Sequence, residues 1–191
     1  MLTQSTRSLL SVSAQQKTVP VIENRIQFAR ALDASQIATI LLRHCNLFDL
    51  KPLLDHAYER EVAIYVNVDH IDGIHPDTAG LRYLAQQLHV AGIITTNPRI
   101  LGLGKDFGLE AIQHIFAVDS AGLQGALESV DSHTIDLLDI SPALVIPYIV
   151  SHTPLPLPFI GSGLVNTFQQ VKMVLSAGAL RVAVARPELW M

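Results

Sequence analysis

The sequence predicts a compact (β/α)8 TIM-like barrel with shortened helices, and three observations predict it. From about Pro20 onward, short apolar runs rich in Val, Ile and Leu alternate with amphipathic stretches. Parallel strands covered by helices read as such continuous runs, because neither of their faces meets water. Hydrophobic residues make up 49% of the chain and charged residues only 16%, which suits many buried strands and argues against global disorder. The rival doubly wound sheet lacks its fingerprint: no G-x-G-x-x-G follows the first run, and Gly102-Leu-Gly104 falls inside a helical segment. With 191 residues against the ~250 typical of the barrel, the helices must be short.

Taken in order, the expected strands are 19–23, 36–42, 63–69, 90–95, 110–118, 135–140, 157–161 and 180–185. Each is an apolar, β-branched run bounded by polar or turn residues. Between them, 25–32 is a short helical pattern. Segment 47–60 carries Leu47, Leu50, Leu54 and Ala57 on one face, and 77–88 repeats the spacing with Leu81, Leu84, Ala85 and Leu88. Segments 97–107, 120–130, 142–151 and 166–177 complete the set. Asn97-Pro98 and Ser141-Pro142 each offer a capping side chain before a proline at the first helical position. Gly108 and Gly178 stand where left-handed C-caps fall. Alternation at this spacing implies right-handed βαβ units. Residues 1–18 read as a polar, disordered leader, and 19–191 as a single domain.

The totals limit the function. A net charge of −4, with four lysines and scattered arginines, gives no support to strong phosphate-backbone binding. Cys45 is the only cysteine, so no intrachain disulfide forms and a reducing cytoplasm is the natural compartment. It reads as a small core residue rather than a reactive thiol. No apolar stretch reaches the roughly 18 residues of a membrane span.

In a barrel of this kind, ligands meet the C-terminal ends of the strands. Read in order, those ends carry Glu23 and Asn24, Arg43 and His44, Asp69 to Asp72, Thr95 to Asn97, Asp119 and Ser120, Asp139 to Ser141, Gly161 to Gly163, and Arg186. Gly161-Ser162-Gly163 after the seventh strand is the expected phosphate loop. Its glycines admit an anion to the backbone, and the next helix points its positive end there; a tight turn needing glycine for its own sake explains the tripeptide equally simply. Asp69, at the tip of the third strand, is placed to accept hydrogen bonds from ligand hydroxyls. Asp69, His70, Asp72 and His75 also invite a metal reading, but their spacing matches no zinc set. Only one of Gln113 and His114 can face the barrel interior. Asp119 serves as readily as a helix cap.

The resemblance comes from several pieces in order. They are Val68-Asp69-His70-Ile71-Asp72-Gly73 with Asp77-Thr-Ala-Gly80, Gly92-Ile-Ile-Thr-Thr96, and Ile112-Gln113-His114-Ile-Phe116 with Asp119-Ser120. Asp139-Ile-Ser-Pro142, Gly161-Ser-Gly-Leu-Val165, Ala177-Gly-Ala179 and the ending Glu188-Leu189-Trp190 follow. Over most of residues 19–190 the chain resembles the glycerol-3-phosphate-responsive antiterminators, the glycerol uptake operon antiterminator regulatory proteins. The resemblance implies a βα barrel that senses glycerol 3-phosphate, needs no cofactor, and binds the leader mRNA of glycerol-metabolism operons to prevent premature termination. It places the phosphate at Gly161, Ser162 and Gly163 and the glycerol hydroxyls at Asp69; Thr95, Asp139 and Arg186, at neighbouring strand ends, complete the expected ligand set. The chain departs from the pattern at Asn97 (a Lys in the family), His114 (an Arg), Ala143 (a Gly) and Ala185 (within a Ser/Thr-rich end). That leaves Arg186 as the guanidinium for the phosphate.

Two other functions compete. One is an isomerase-type barrel enzyme acting on a phosphosugar or phosphopolyol, with Asp69 and Asp139 as acid and base. The residues count against a Schiff-base aldolase, since no lysine falls in an expected strand. The other is a ligand sensor working through protein partners. A homodimer through the outer helices is open, for no exposed apolar stripe establishes it.

Overall fold

Eight parallel strands close on themselves in the computed structural model, which describes residues 8–10 and 16–190. The strands are β1 (Thr18–Ile22), β2 (Thr39–Leu42), β3 (Ala63–Asn67) and β4 (Gly92–Thr95). They continue as β5 (Glu110–Phe116), β6 (Leu137–Ser141), β7 (Phe159–Ser162) and β8 (Val182–Val184). Every neighbour in space is a neighbour in sequence, and Thr18↔Val182 to Pro20↔Val184 joins the last strand to the first. The expected TIM-like fold is the observed one.

The helices are short, as the chain length required. They are α1 (Arg25–Asp33), α2 (Leu47–Glu59), α3 (Thr78–Gln86), α4 (Pro98–Asp106), α5 (Ser120–Glu128), α6 (Ile146–His152) and α7 (Phe168–Ser176). After β8 comes a 3-10 turn, Pro187–Leu189. Its Leu189 carbonyl accepts from Thr18 Oγ1 at 2.9 Å, and Trp190 Nε1 donates to the Val184 carbonyl at 3.1 Å, so the chain end is bound back to β1 and β8.

Strand alternation builds two apolar layers. Val19, Val21, Leu41, Tyr65, Ile94, Ile112, Leu137 and Ile160 point inward and fill the barrel. Ile40, Ile64, Ile93, Leu138 and Val182 point outward against the buried faces of the helices, among them Leu50, Leu81, Leu101 and Val171. Fully burying such side chains stabilises by about 1.5–3 kcal/mol each, which is why both layers are almost wholly aliphatic. Gly92 belongs to this packing: a Cβ there would stand 2.6 Å from the Tyr65 ring and 2.5 Å from the Glu110 carbonyl.

Several expected ends hold. Asn97 accepts from the Arg99 amide with Pro98 in the first turn, and Gly108 and Gly178 take positive φ after α4 and α7. Others are corrected. Ser141-Pro142 does not start a helix: Ser141 ends β6, the bond to Pro142 is cis, and a 3-10 turn (Ala143–Val145) precedes α6. The third strand stops two residues before Asp69, because Asn67 Oδ1 accepts from the Asp69 amide and curls Val68–His70 into a 3-10 turn. In the stretch read as a disordered leader, Leu9 and Gln16 are buried. Leu9 is 1% exposed in the barrel-interior cluster, and Gln16 bonds to Thr18, Thr39 and Ala38. Residues 1–7 and 11–15 of that stretch lie outside the described residues.

Candidate functional site

The C-terminal mouth of the barrel holds a cavity of 190 Å3. Arg43 and His44, just past β2, and Asn67 and His70, at and after the end of β3, form one wall. His114 and Phe116 of β5 with Asp139 and Ser141 of β6 form the other, over a floor of Leu41 and Ile94. A larger cavity of 490 Å3 lies between α1 and α2 on the outside of the barrel. Two pairs of its charges are already matched, Arg25 with Asp49 and Arg60 with Asp33. The mouth is the better candidate, since strand ends converge there and its Arg43 has no acidic partner among the described residues.

The centre of the mouth is a buried ion-pair geometry. β5 and β6 pair with His114 and Asp139 as direct Cα partners, and both side chains fall on the inward parity set by Ile112 and Leu137. His114 Nδ1 stands 2.7 Å from Asp139 Oδ2, with both residues buried. The second carboxylate oxygen, Oδ1, is buried and has no partner among the described residues. Phe116 sets its ring edge-on to the His114 imidazole, centroids 4.3 Å apart, and fixes the ring plane. The outward-facing alternative, Gln113, spends its amide on Ser129 Oγ of the α5 end.

On the opposite wall the rings of His44 and His70 lie 4.7 Å apart, tilted by 41°. A two-residue parallel pair, Cys45–Asn46 with Ile71–Asp72, ties the segment after β2 to the segment after β3 and so holds these rings together. Burial, aided by Asp72 and Asp49, pushes the Cys45 thiol up to about 11, so it is the inert residue the sequence suggested.

The structure separates the residues the sequence grouped. Asp69 and Thr95 do meet: Thr95 Oγ1 donates to Asp69 Oδ1 at 2.6 Å, and the Thr96 amide donates to Oδ2 at 3.1 Å. This carboxylate staples the β4–α4 loop and does not line the cavity. Asp139 does line it. Gly161, Ser162, Gly163 and Arg186 do not. The Gly161 amide is committed to the Arg181 carbonyl, and a Cβ there would stand 2.7 Å from Ile146, 2.8 Å from Val174 and 3.0 Å from Ala143. Ser162 Oγ is buried without a partner among the described residues, Gly163 turns with φ +78, and Arg186 Nε donates to Asn166 Oδ1. Asp119 caps α5 through the Gly122 amide.

Besides Asp139, the polar residues of the mouth are Arg43, His44, Asn67, His70, His114 and Ser141, none of which sequence reasoning placed in the ligand set. Arg43, His44, His70 and Ser141 stand at expected strand ends, and what the sequence lacks is which ends lean inward. Among the described residues no group of three or more His, Cys, Asp or Glu is arranged to hold a metal, and no helix is long and apolar enough to cross a membrane.

The family profile described as glycerol-3-phosphate responsive antiterminator matches residues 18–190. The chain belongs to that family. No curated protein matches the sequence significantly. Solved structures agree on the fold. The glycerol uptake operon antiterminator regulatory protein of Listeria monocytogenes superposes with a TM-score of 0.84 at 22% identity, over 91% of this chain and 94% of that one. A glycerol uptake operon antiterminator-related protein of Thermotoga maritima gives 0.80 at 19% identity, over 92% and 98%. The N-acetylmannosamine-6-phosphate 2-epimerase of Clostridium perfringens is more distant, with a TM-score of 0.64 at 14% identity over 88% and 85%. The antiterminator family is regulatory, and its description names glycerol 3-phosphate as what its members respond to.

Proposed function

We propose that this member senses glycerol 3-phosphate, or a polyol phosphate of that size, in the mouth cavity, and that the loaded protein binds the leader mRNA of glycerol-metabolism operons and prevents premature termination. The observation that carries the reading is the mouth itself. A small cavity offers the Arg43 guanidinium and two imidazoles on one wall and the Asp139 carboxylate on the other. At 190 Å3 it is below the roughly 300–1,000 Å3 of pockets for drug-sized ligands, which suits a three-carbon phosphate. The test is a calorimetric and thermal-shift titration with glycerol 3-phosphate, with glycerol and inorganic phosphate as controls. At ~100-fold excess over Kd a single site raises stability by ~2.7 kcal/mol. A salt-titrated RNA binding assay then follows; leader RNA left unbound with ligand present removes the antiterminator part.

The His114–Asp139 pair favours a second reading. A carboxylate that orients an imidazole is also an acid/base arrangement, as an isomerase acting on a phosphosugar requires. In this reading His114 takes the role expected of Asp69, whose carboxylate bonds to Thr95 and Thr96. Turnover of a phosphosugar that vanishes in His114→Gln supports this reading, and saturable binding without turnover dismisses it.

A further inference from the structure

We infer that the phosphate end of the ligand docks on Arg43, His44 and His70 after β2 and β3, instead of on the glycine turn after β7, and that its hydroxyl end faces Asp139. The inference rests on the proposed ligand reading and adds the orientation.

Charge decides it. Arg43 is half-buried in the cavity wall, and among the described residues no carboxylate pairs with it. Arg25, Lys51, Arg60 and Lys105 all have acidic partners. A guanidinium partly withdrawn from water without a counter-charge is an anion site, and its fork matches two phosphate oxygens. His44 and His70 stand beside it with no hydrogen bond to either ring among the described residues. Two imidazoles this close repel when both are charged, and a dianion shared between them reverses that penalty.

The opposite wall excludes the phosphate and recruits the hydroxyls. Asp139 lines the cavity and is 2% exposed. A buried carboxylate repels a phosphate, and hydroxyl donors, which a polyol supplies, are the groups it accepts. The two walls therefore fix which way round the ligand lies.

Past the turn after β7 the chain bonds to itself. The amides of Asn166 and Thr167 donate to Gln170 Oε1, and the Gln170 amide donates to Thr167 Oγ1, closing the start of α7. Arg186 is bonded to Asn166.

The test is calorimetry with glycerol 3-phosphate on the wild type, Arg43→Gln, Arg43→Lys, the double variant His44→Gln/His70→Gln and Arg186→Gln. Imidazole NMR on the wild type, titrated with glycerol 3-phosphate and with inorganic phosphate, runs beside it. The inference expects Arg43→Gln and the histidine double variant to bind at least tenfold more weakly, and Arg43→Lys to fall between them and the wild type. Arg186→Gln stays within about twofold of wild type, and the His44 and His70 resonances move toward the protonated form with either phosphate. Wild-type binding that Arg186→Gln abolishes and Arg43→Gln leaves intact overturns the orientation while the sensor reading stands. A wild type that binds neither compound, with its imidazole resonances unmoved, overturns both.

Discussion

His114 Nδ1 meets Asp139 Oδ2 at 2.7 Å because the two residues are direct partners in the β5–β6 register, both on the inward face. The consequence is measurable. Asp139→Asn keeps the volume and removes the charge. A hydrogen bond to a charged group is worth ~1.5–3 kcal/mol, so glycerol 3-phosphate affinity is expected to fall about 10- to 100-fold. Calorimetry on the variant checks this, and an unchanged affinity separates Asp139 from the ligand.

Asp69→Ala tests a different role. Its carboxylate accepts from the Thr95 hydroxyl and the Thr96 amide at the edge of the mouth. The variant is expected to lose about 1–2 kcal/mol of stability and to speed hydrogen exchange at Thr96 and Asn97. Affinity for the ligand should move less than in Asp139→Asn. A ligand-contacting Asp69 would give the reverse order.

For Gly161→Ala the added methyl meets Ile146, Val174 and Ala143. Overpacking of this kind costs about 1–3 kcal/mol. The thermal midpoint should therefore drop while the Kd of the folded protein stays within about twofold, since the methyl points at α6 and α7. A large change in Kd with an unchanged midpoint would mark Gly161 as an anion contact.

How much of this the sequence made legible follows from where periodicity carries information. Apolar runs gave the eight strands and seven helices because buried parallel strands and amphipathic helices leave different patterns. The ends were less legible where one polar side chain decides them. Asn67 curls the chain before Asp69, and nothing in the apolar pattern announces it. Of the expected ligand residues, Asp139 lines the mouth cavity. Arg43 and His70 were visible as strand-end residues, but which ends converge depends on register, and a one-residue shift in register turns every side chain over. His114 and Asp139 show this: 25 residues apart in sequence, they meet through the β5–β6 pairing.

Leu9 supports the barrel from its far end. It lies 1% exposed against the interior cluster, its amide donates to Tyr65 Oη at 2.8 Å, and Tyr65 in turn donates to Glu110. Burial, reinforced by the Glu110 carboxylate, pushes the Tyr65 phenol well above its ordinary value, so it remains a protonated donor. Leu9→Ala should cost about 2–4 kcal/mol in denaturant unfolding. A loss under about 0.5 kcal/mol, the range of surface substitutions, would place Leu9 outside the core.

Cys45 gives the pH-dependent prediction. With its thiol raised to about 11, the thiolate is roughly 100-fold scarcer at pH 8 than in a free cysteine, and alkylation of the native protein should be slower by about that factor. A thiol raised by folding binds its proton more tightly in the native state. Its contribution to stability is complete below the ordinary thiol range and declines as the pH climbs toward 11. Alkylation at the rate of a free thiol would contradict this placement.

The two-residue brace of Cys45–Asn46 on Ile71–Asp72 does more than steady two rings. Asn46 is also the cap of α2, holding the Asp49 amide through its side chain. The first turn of that helix, the segment after β2 and the segment after β3 are thus one mechanical part, a single stiff lip on the mouth. Phe48 stands on the outer side of that lip, 88% exposed, while His70 lines the inner side.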